Sequence, residues 1–193
     1  MGTQPFASVP YALAAETAVN TKNIGGNPVE QASTPSNGDL LRWDGTLNMW
    51  KPSRGPIVGS WAGTIAAIPF GGGAAPFVFA GPTFTVTVDG TQKIMATATG
   101  VFGHVNVNNQ PCSFAICWSA VPAGSVLSAF QGSSYPDGTV TAGNAGEKTN
   151  LTATGVITLP AGTYKIGFGL KNKSTNTNFG ANDYVNGTFM IIN

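Results

Sequence analysis

The side chains able to do chemistry are few and far apart in this 193-residue chain. His104 is the single histidine, in VFGHVNV. It has no neighbouring Ser-Asp pair to complete a triad and no second histidine to share acid–base work. Eight carboxylates are spread along the chain at Glu16, Glu30, Asp39, Asp44, Asp89, Asp137, Glu147 and Asp183. A glycosidase needs two that face each other, whereas Asp44, Asp89 and Asp137 each precede a glycine, where a turn accounts for them. Cys112 and Cys117 are five residues apart. On one strand that odd spacing sends them to opposite faces, so they cannot bridge, and they lack the partners of a zinc site. FGGGAAPF follows no phosphate-binding glycine pattern, and no calcium loop of the DxDxDG kind occurs. The expectation is a protein that is not an enzyme, with no catalytic residues, no metal site and no cofactor.

The chemistry that remains is recognition. NKSTNTNFGANDY (172–184) collects amides and hydroxyls beside two aromatic rings. Amides pair with hydroxyls and rings stack on apolar sugar faces, so this loop suits a glycan. QGSSYPDGTVTAGN (131–144) has the same character. The candidate ligand-binding residues are Asn176, Asn178, Phe179, Asn182, Asp183, Tyr184 and Tyr135. The competing reading is that these residues make solvated turns.

Such loops need a framework, and composition points to β-structure. Charged residues are 9% of the chain, against about 25% in an ordinary soluble domain. The 26 glycines and the recurrent Thr and Asn suit strands joined by turns. Net charge is +1, from nine scattered basic and eight acidic residues. With no basic stripe to meet a phosphate backbone, nucleic acid is not the expected partner. The charge-free run Ile57–Ala80 is broken by glycines and prolines, which predicts strands rather than a membrane helix. MGTQPFASVPYALAAETA lacks the charged start and unbroken apolar core of a secretory signal. A virion protein released by lysis fits that, and so little charge fits an exterior covered in an assembly.

Residues 1–56 are expected to form an attachment and stalk segment. PYALAAETAVN is a short helical candidate needing a partner. In GDLLRWDGTLNMWKP, an Asp-Gly turn between apolar runs predicts a β-hairpin. Two exposed tryptophans on an isolated hairpin favour its packing against copies of itself. Residues 57–193 are expected to form an all-β jelly-roll head. FTVTVDG, SFAICWS, LTATGVITL and GTYKIGFGLK alternate apolar and polar with the period of half-buried strands. With the segments between them they predict roughly eight to ten strands in a sandwich or barrel. The last strand, FMIIN, is apolar on both faces, which places it in a core or an interface.

From its strand order, LPAGTYKIGFGL and the closing YVNGTFMIIN, the 57–193 region resembles the tumour-necrosis-factor and complement globular-head superfamily. That resemblance implies a homotrimer packed through the inner sheets. QPFASVPYALAAETA and NGDLLRWDGTLNMWKP resemble attachment and stalk segments of phage fibre proteins and of bacterial surface proteins, notably from Bacteroidetes-like sources, though without a collagen-like run or heptad stalk. Together these imply a trimeric fibre or decoration protein, on the head or tail of a virion, that attaches to a host surface glycan. Phe6, Val9, Pro10 and Tyr11 would contact a capsid or other virion protein. Trp43, Trp50, Phe102, His104, Phe189 and Ile191 would line the trimer interface. The alternatives are a cellular surface adhesin or lectin of the same fold and, further off, a polysaccharide depolymerase.

Overall fold

The computed structural model describes residues 22–193 apart from 32–33, 36, 106–108, 123–125 and 142–147. The proposed helix at 10–20 and the attachment residues Phe6, Val9, Pro10 and Tyr11 lie outside the described residues. The chain divides into two compact units, with the boundary between Gly55 and Pro56.

In the first unit, β1 (Asn23–Ile24) and β2 (Asn27–Pro28) form a small hairpin. A larger one joins β3 (Asp39–Asp44) to β4 (Met49–Arg54), with Trp43 opposite Trp50 and Asp44 opposite Met49. The expected Asp-Gly turn is a longer loop. Asp44 Oδ1 accepts the backbone N–H groups of Thr46 at 2.9 Å and Leu47 at 3.1 Å. The residue with positive φ is Asn48, at 49°, rather than Gly45. Asparagine tolerates that region because its short side chain can bond locally. The two tryptophan rings meet edge to face at 5.5 Å, and Trp50 Nε1 donates to Ile24 O at 3.2 Å.

The second unit is a jelly-roll sandwich. One sheet has the order β12-β8-β14-β5, built from β5 (Ile57–Thr64), β8 (Lys93–Phe102), β12 (Thr149–Thr158) and β14 (Tyr184–Ile192). The other centres on β9 (Gln110–Ala120) and β13 (Gly162–Asn172). Beside β13 lie β6 (Val78–Phe79) and β7 (Phe84–Val88). Beside β9 lie β10 (Ser128–Ala129) and β11 (Asp137–Val140). All these pairings are antiparallel, and passing along the chain the strands switch sheet from β5 to β7, β8, β9, β12, β13 and β14. That alternation between two facing sheets is the jelly-roll connection.

The alternation read from the sequence decides which side chains meet between the sheets. Ile94, Phe102, Ile116, Ile166, Phe168, Leu170 and Val185 are fully buried. Aromatic pairs tie one sheet to the other. Phe84 stacks on Phe189 with centroids 3.9 Å apart, Trp61 lies against Phe84 at 4.7 Å, and Phe102 meets Phe168 at 5.5 Å. A β-carbon at Gly187 would run into the Trp61 ring, and one at Gly59 would lie 2.5 Å from Phe189. These two glycines make room for the aromatics.

A second, smaller core lies on the other side of β9 and β13, where Phe77, Ala115, Cys117 and Ala129 are buried together. β9 is therefore covered on both faces. Cys112 belongs to the main core and Cys117 to the smaller one. Both are free, on opposite sides of the sheet as their spacing requires.

Candidate functional site

Three regions carry the functional question: the 172–184 loop, the outer face of the β12-β8-β14-β5 sheet, and the outer face of β13 and β9.

In the loop, the amides serve the fold. Asn172 is 1% exposed. Its Nδ2 donates to Ile68 O at 3.2 Å and Thr177 O at 2.8 Å, and its Oδ1 accepts from Ser174 N at 3.0 Å. Asn182 Nδ2 donates to Ala66 O at 2.9 Å and Phe179 O at 2.8 Å, while its Oδ1 accepts from Gly103 N at 3.2 Å. Asn178 Oδ1 accepts from Phe70 N at 2.9 Å, and Asn176 Oδ1 from Thr177 Oγ1 at 3.0 Å. These bonds pin the loop to residues 66–70 and to Gly103. They satisfy backbone groups that leave the sheets near its ends.

Phe179 is fully buried and lies nearly parallel to the His104 ring at 5.9 Å. The expectation that Phe179 stacks on a ligand is therefore corrected: its ring is a core residue. Asp183 accepts from Lys148 Nζ at 3.1 Å. Tyr184 keeps 53% of its surface exposed and heads the outward side of β14. The structure thus leaves Tyr184 available while Asn172, Asn182 and Phe179 hold the loop in place.

The interface candidates need a similar correction. Phe102 is completely buried, and His104 and Ile191 are each 3% exposed. His104 Nε2 lies 3.1 Å from Val140 O. Phe189 is half-buried and stacked on Phe84. Phe102, His104 and Ile191 are used inside the subunit, whereas half-buried Phe189 also borders the outer-face hollow lined by Val58, Met95, Val156 and Met190. Trp43 is 42% exposed and Trp50 is half-buried, in the first unit.

The residues that do face outward are others, of which Met190 stands between Phe189 and Ile191. Register places Val156 opposite Met95, Met95 opposite Met190, and Met190 opposite Val58. These four make one apolar row across all four strands, each at least 40% exposed. The next row is Thr154, Thr97, Thr188 and Ser60, and the next Thr152, Thr99, Asn186 and Ala62. The only charged side chain in these rows and those flanking them is Lys93.

The hydroxyls on this face are partly satisfied within the sheet. Thr97 Oγ1 donates to Ala153 O and Thr154 Oγ1 to Ala96 O, each at 3.3 Å, and Thr99 pairs with Thr152 at 2.8 Å. Covering such a face removes apolar surface from water while breaking fewer hydroxyl–water bonds than the residue types suggest. Alternation in YVNGTFMII carries the signal for this face, to which β14 presents Met190.

The outer face of β13 and β9 is different. β13 points Lys165 and Lys171 outward, and Lys173 follows just past its end. Lys171 Nζ stands 4.6 Å from the ring centroids of both Phe77 and Tyr135 and donates to Tyr135 Oη at 2.7 Å. Phe77 and Tyr135 meet edge to face at 4.8 Å. Lys173 Nζ is 2.6 Å from Asp137 Oδ1, which also accepts from Ser113 Oγ at 2.5 Å. The Lys173 and Ser113 hydrogen bonds hold the Asp137 carboxyl below its ordinary value. Burial pushes the Cys112 thiol up to about 12, with the Asp137 charge adding to it, and pushes Cys117 to about 12 as well. Neither is a nucleophile near neutral pH. Among the described residues, no three His, Cys, Asp or Glu side chains stand close enough to share a metal ion. No helix there is long and apolar enough to cross a membrane.

No protein-family model matches the chain, and no curated protein does. Solved structures match weakly. A chain of infectious bursal disease virus, Gx strain, is 14% identical with a TM-score of 0.43, over 79% of this chain and 36% of that one. The VP2 subviral particle of the same virus gives 12% and 0.39, again over 79% and 36%. The T13 particle of that virus gives 10% and 0.40, over 79% and 38%. The chain thus spans little more than a third of the length of these proteins, and the functional reading rests on its own residues.

Proposed function

We propose that this chain is a non-enzymatic virion structural protein, a fibre or decoration subunit on the particle surface. It acts as a homotrimer whose jelly-roll head attaches to a host-surface glycan. Residues 1–56 serve as the attachment and stalk segment and residues 57–193 as the head. Phe6, Val9, Pro10 and Tyr11 contact another virion protein, and the Trp43–Trp50 hairpin adds to the contact between copies.

The observation that supports self-association is the outer face of the β12-β8-β14-β5 sheet, where Lys93 is the single charge beside the row of Val58, Met95, Val156 and Met190. An apolar row next to a charge-free polar surface offers nothing to an ionic partner. It is best covered by another surface of the same kind, and permanent oligomer interfaces are apolar in this way. The copies of a homo-oligomer supply that surface three times over.

Mass measurement in native buffer tests the assembly. A trimer that Met95→Glu with Met190→Glu converts to folded monomers supports it, and a wild-type monomer removes it. Mass spectrometry of purified virus particles from the source, with immunogold labelling of their surface, tests the virion role. Absence of the chain from particles, together with its presence on cells, would favour the adhesin reading instead.

A further inference from the structure

Resting on the attachment reading above, we infer that the outer face of β13 and β9 is a binding site for a carboxylate-bearing saccharide, with Lys171 and Tyr135 as its contacts.

The charge distribution points there. Lys165, Lys171 and Lys173 share this face, with Asp137 the single carboxylate among its described residues. Asp137 is already taken by Lys173 and Ser113. Lys171, like Lys165, has no carboxylate within ion-pair distance among the described residues, whereas Lys51, Lys148 and Lys173 each have at least one. The unpaired ammonium is not a loose surface charge. Two aromatic rings and the Tyr135 oxygen fix its position, so little side-chain freedom is lost when an anion arrives.

The donor inventory specifies the ligand's chemistry. An ammonium carries three donors and no acceptor. One goes to Tyr135 Oη, and because that oxygen accepts, the phenol hydrogen is left to donate outward. Two donors, one of them charged, then converge beside Tyr135. Such an arrangement binds a carboxylate through charge-assisted hydrogen bonds. Phe77 is buried beneath the site, and the half-buried Tyr135 ring supplies the apolar surface on which a sugar's C–H face rests. An acidic peptide offers the same carboxylate and no such face, so a uronate-type sugar is the better fit.

The test uses the full-length protein, first confirmed as a trimer by native mass. Trigalacturonate, its methyl ester and oligoglutamate are titrated by calorimetry at low and high salt. Trigalacturonate is expected to bind, more weakly as salt rises, and the uncharged ester is expected not to. Lys171→Met keeps the stem and loses the charge, and Tyr135→Phe keeps the ring and loses the donor. Each should weaken binding by about tenfold or more, with unfolding temperatures reported alongside.

Acid and ester binding alike, or Lys171→Met and Tyr135→Phe variants that both bind as the wild type does, would overturn the inference. Oligoglutamate binding without trigalacturonate binding replaces the saccharide with an acidic peptide. A trimer that ignores every probe overturns this site and leaves the assembly intact. A monomer fails at the reading beneath it.

Discussion

At the scale of single residues, the chain shows how much chemistry burial removes. Cys112 and Cys117 are each completely buried, with thiols raised to about 12. Native protein at pH 8 is expected to leave both unmodified by a thiol-specific reagent over the time in which denatured protein reacts at two sites per chain. Fast labelling of either in the native state would contradict the packing of β9. Asp137 behaves oppositely. Its folded-state carboxyl is depressed, so its contribution to stability is present above the ordinary carboxylate value and is lost as pH falls through the lowered one. Because the side chain is largely exposed, the effect is small. In thermal melts from pH 2 to 7, Asp137→Asn should lower stability slightly in the neutral region, flatten the acid limb, and leave the acid end unchanged. The opposite faces of the two cysteines were legible from their spacing alone. The roles of Asn178, Asn182 and Phe179 were not, because composition marks a residue as able to bind sugar but not whether a neighbouring backbone already uses it.

At the scale of elements, the alternating segments read correctly because each strand of the sandwich has one wet and one dry side. FTVTV and GTYKIGFGL place Val86, Val88, Tyr164, Ile166, Phe168 and Leu170 inside, as their period demands. The method fails where both sides of a strand are apolar. In FMII, Phe189 and Ile191 go to the core, and Met190 goes to the outer face. One residue of parity decides which side chains of the closing strand reach the outer face. The short strands β6 and β10 are set by their neighbours rather than by their own pattern. Glycines inside the strands have a positional meaning that a sequence shows only as a weakness. A β-carbon at Gly187 collides with the Trp61 ring, so Gly187→Val should destabilise the head by about 1–3 kcal/mol, read from denaturant unfolding. Phe168→Ala, which removes a fully buried ring packed on Phe102, should cost about 3–5 kcal/mol by the same measure. An unchanged midpoint in either variant would mean the two sheets do not pack as described.

At the scale of the whole molecule, the second unit is a sandwich with two unlike outer faces. One is crossed by the Val58–Met190–Met95–Val156 row with Lys93 as its single charge; the other carries Lys165, Lys171 and Lys173. Composition foretold a scarcity of charge but not its sorting, which depends on register and on which strands share a sheet. The face with the apolar row is the one that copies of the chain can cover, and the basic face is the one left for an acidic ligand. The most direct test is sedimentation equilibrium of the wild type beside the Met95→Glu, Met190→Glu double variant. The account predicts a wild-type mass about three times the 19.7 kDa chain and a folded variant at one chain. A wild type that sediments as a single chain across the whole concentration range, or a double variant that remains a trimer, would contradict it.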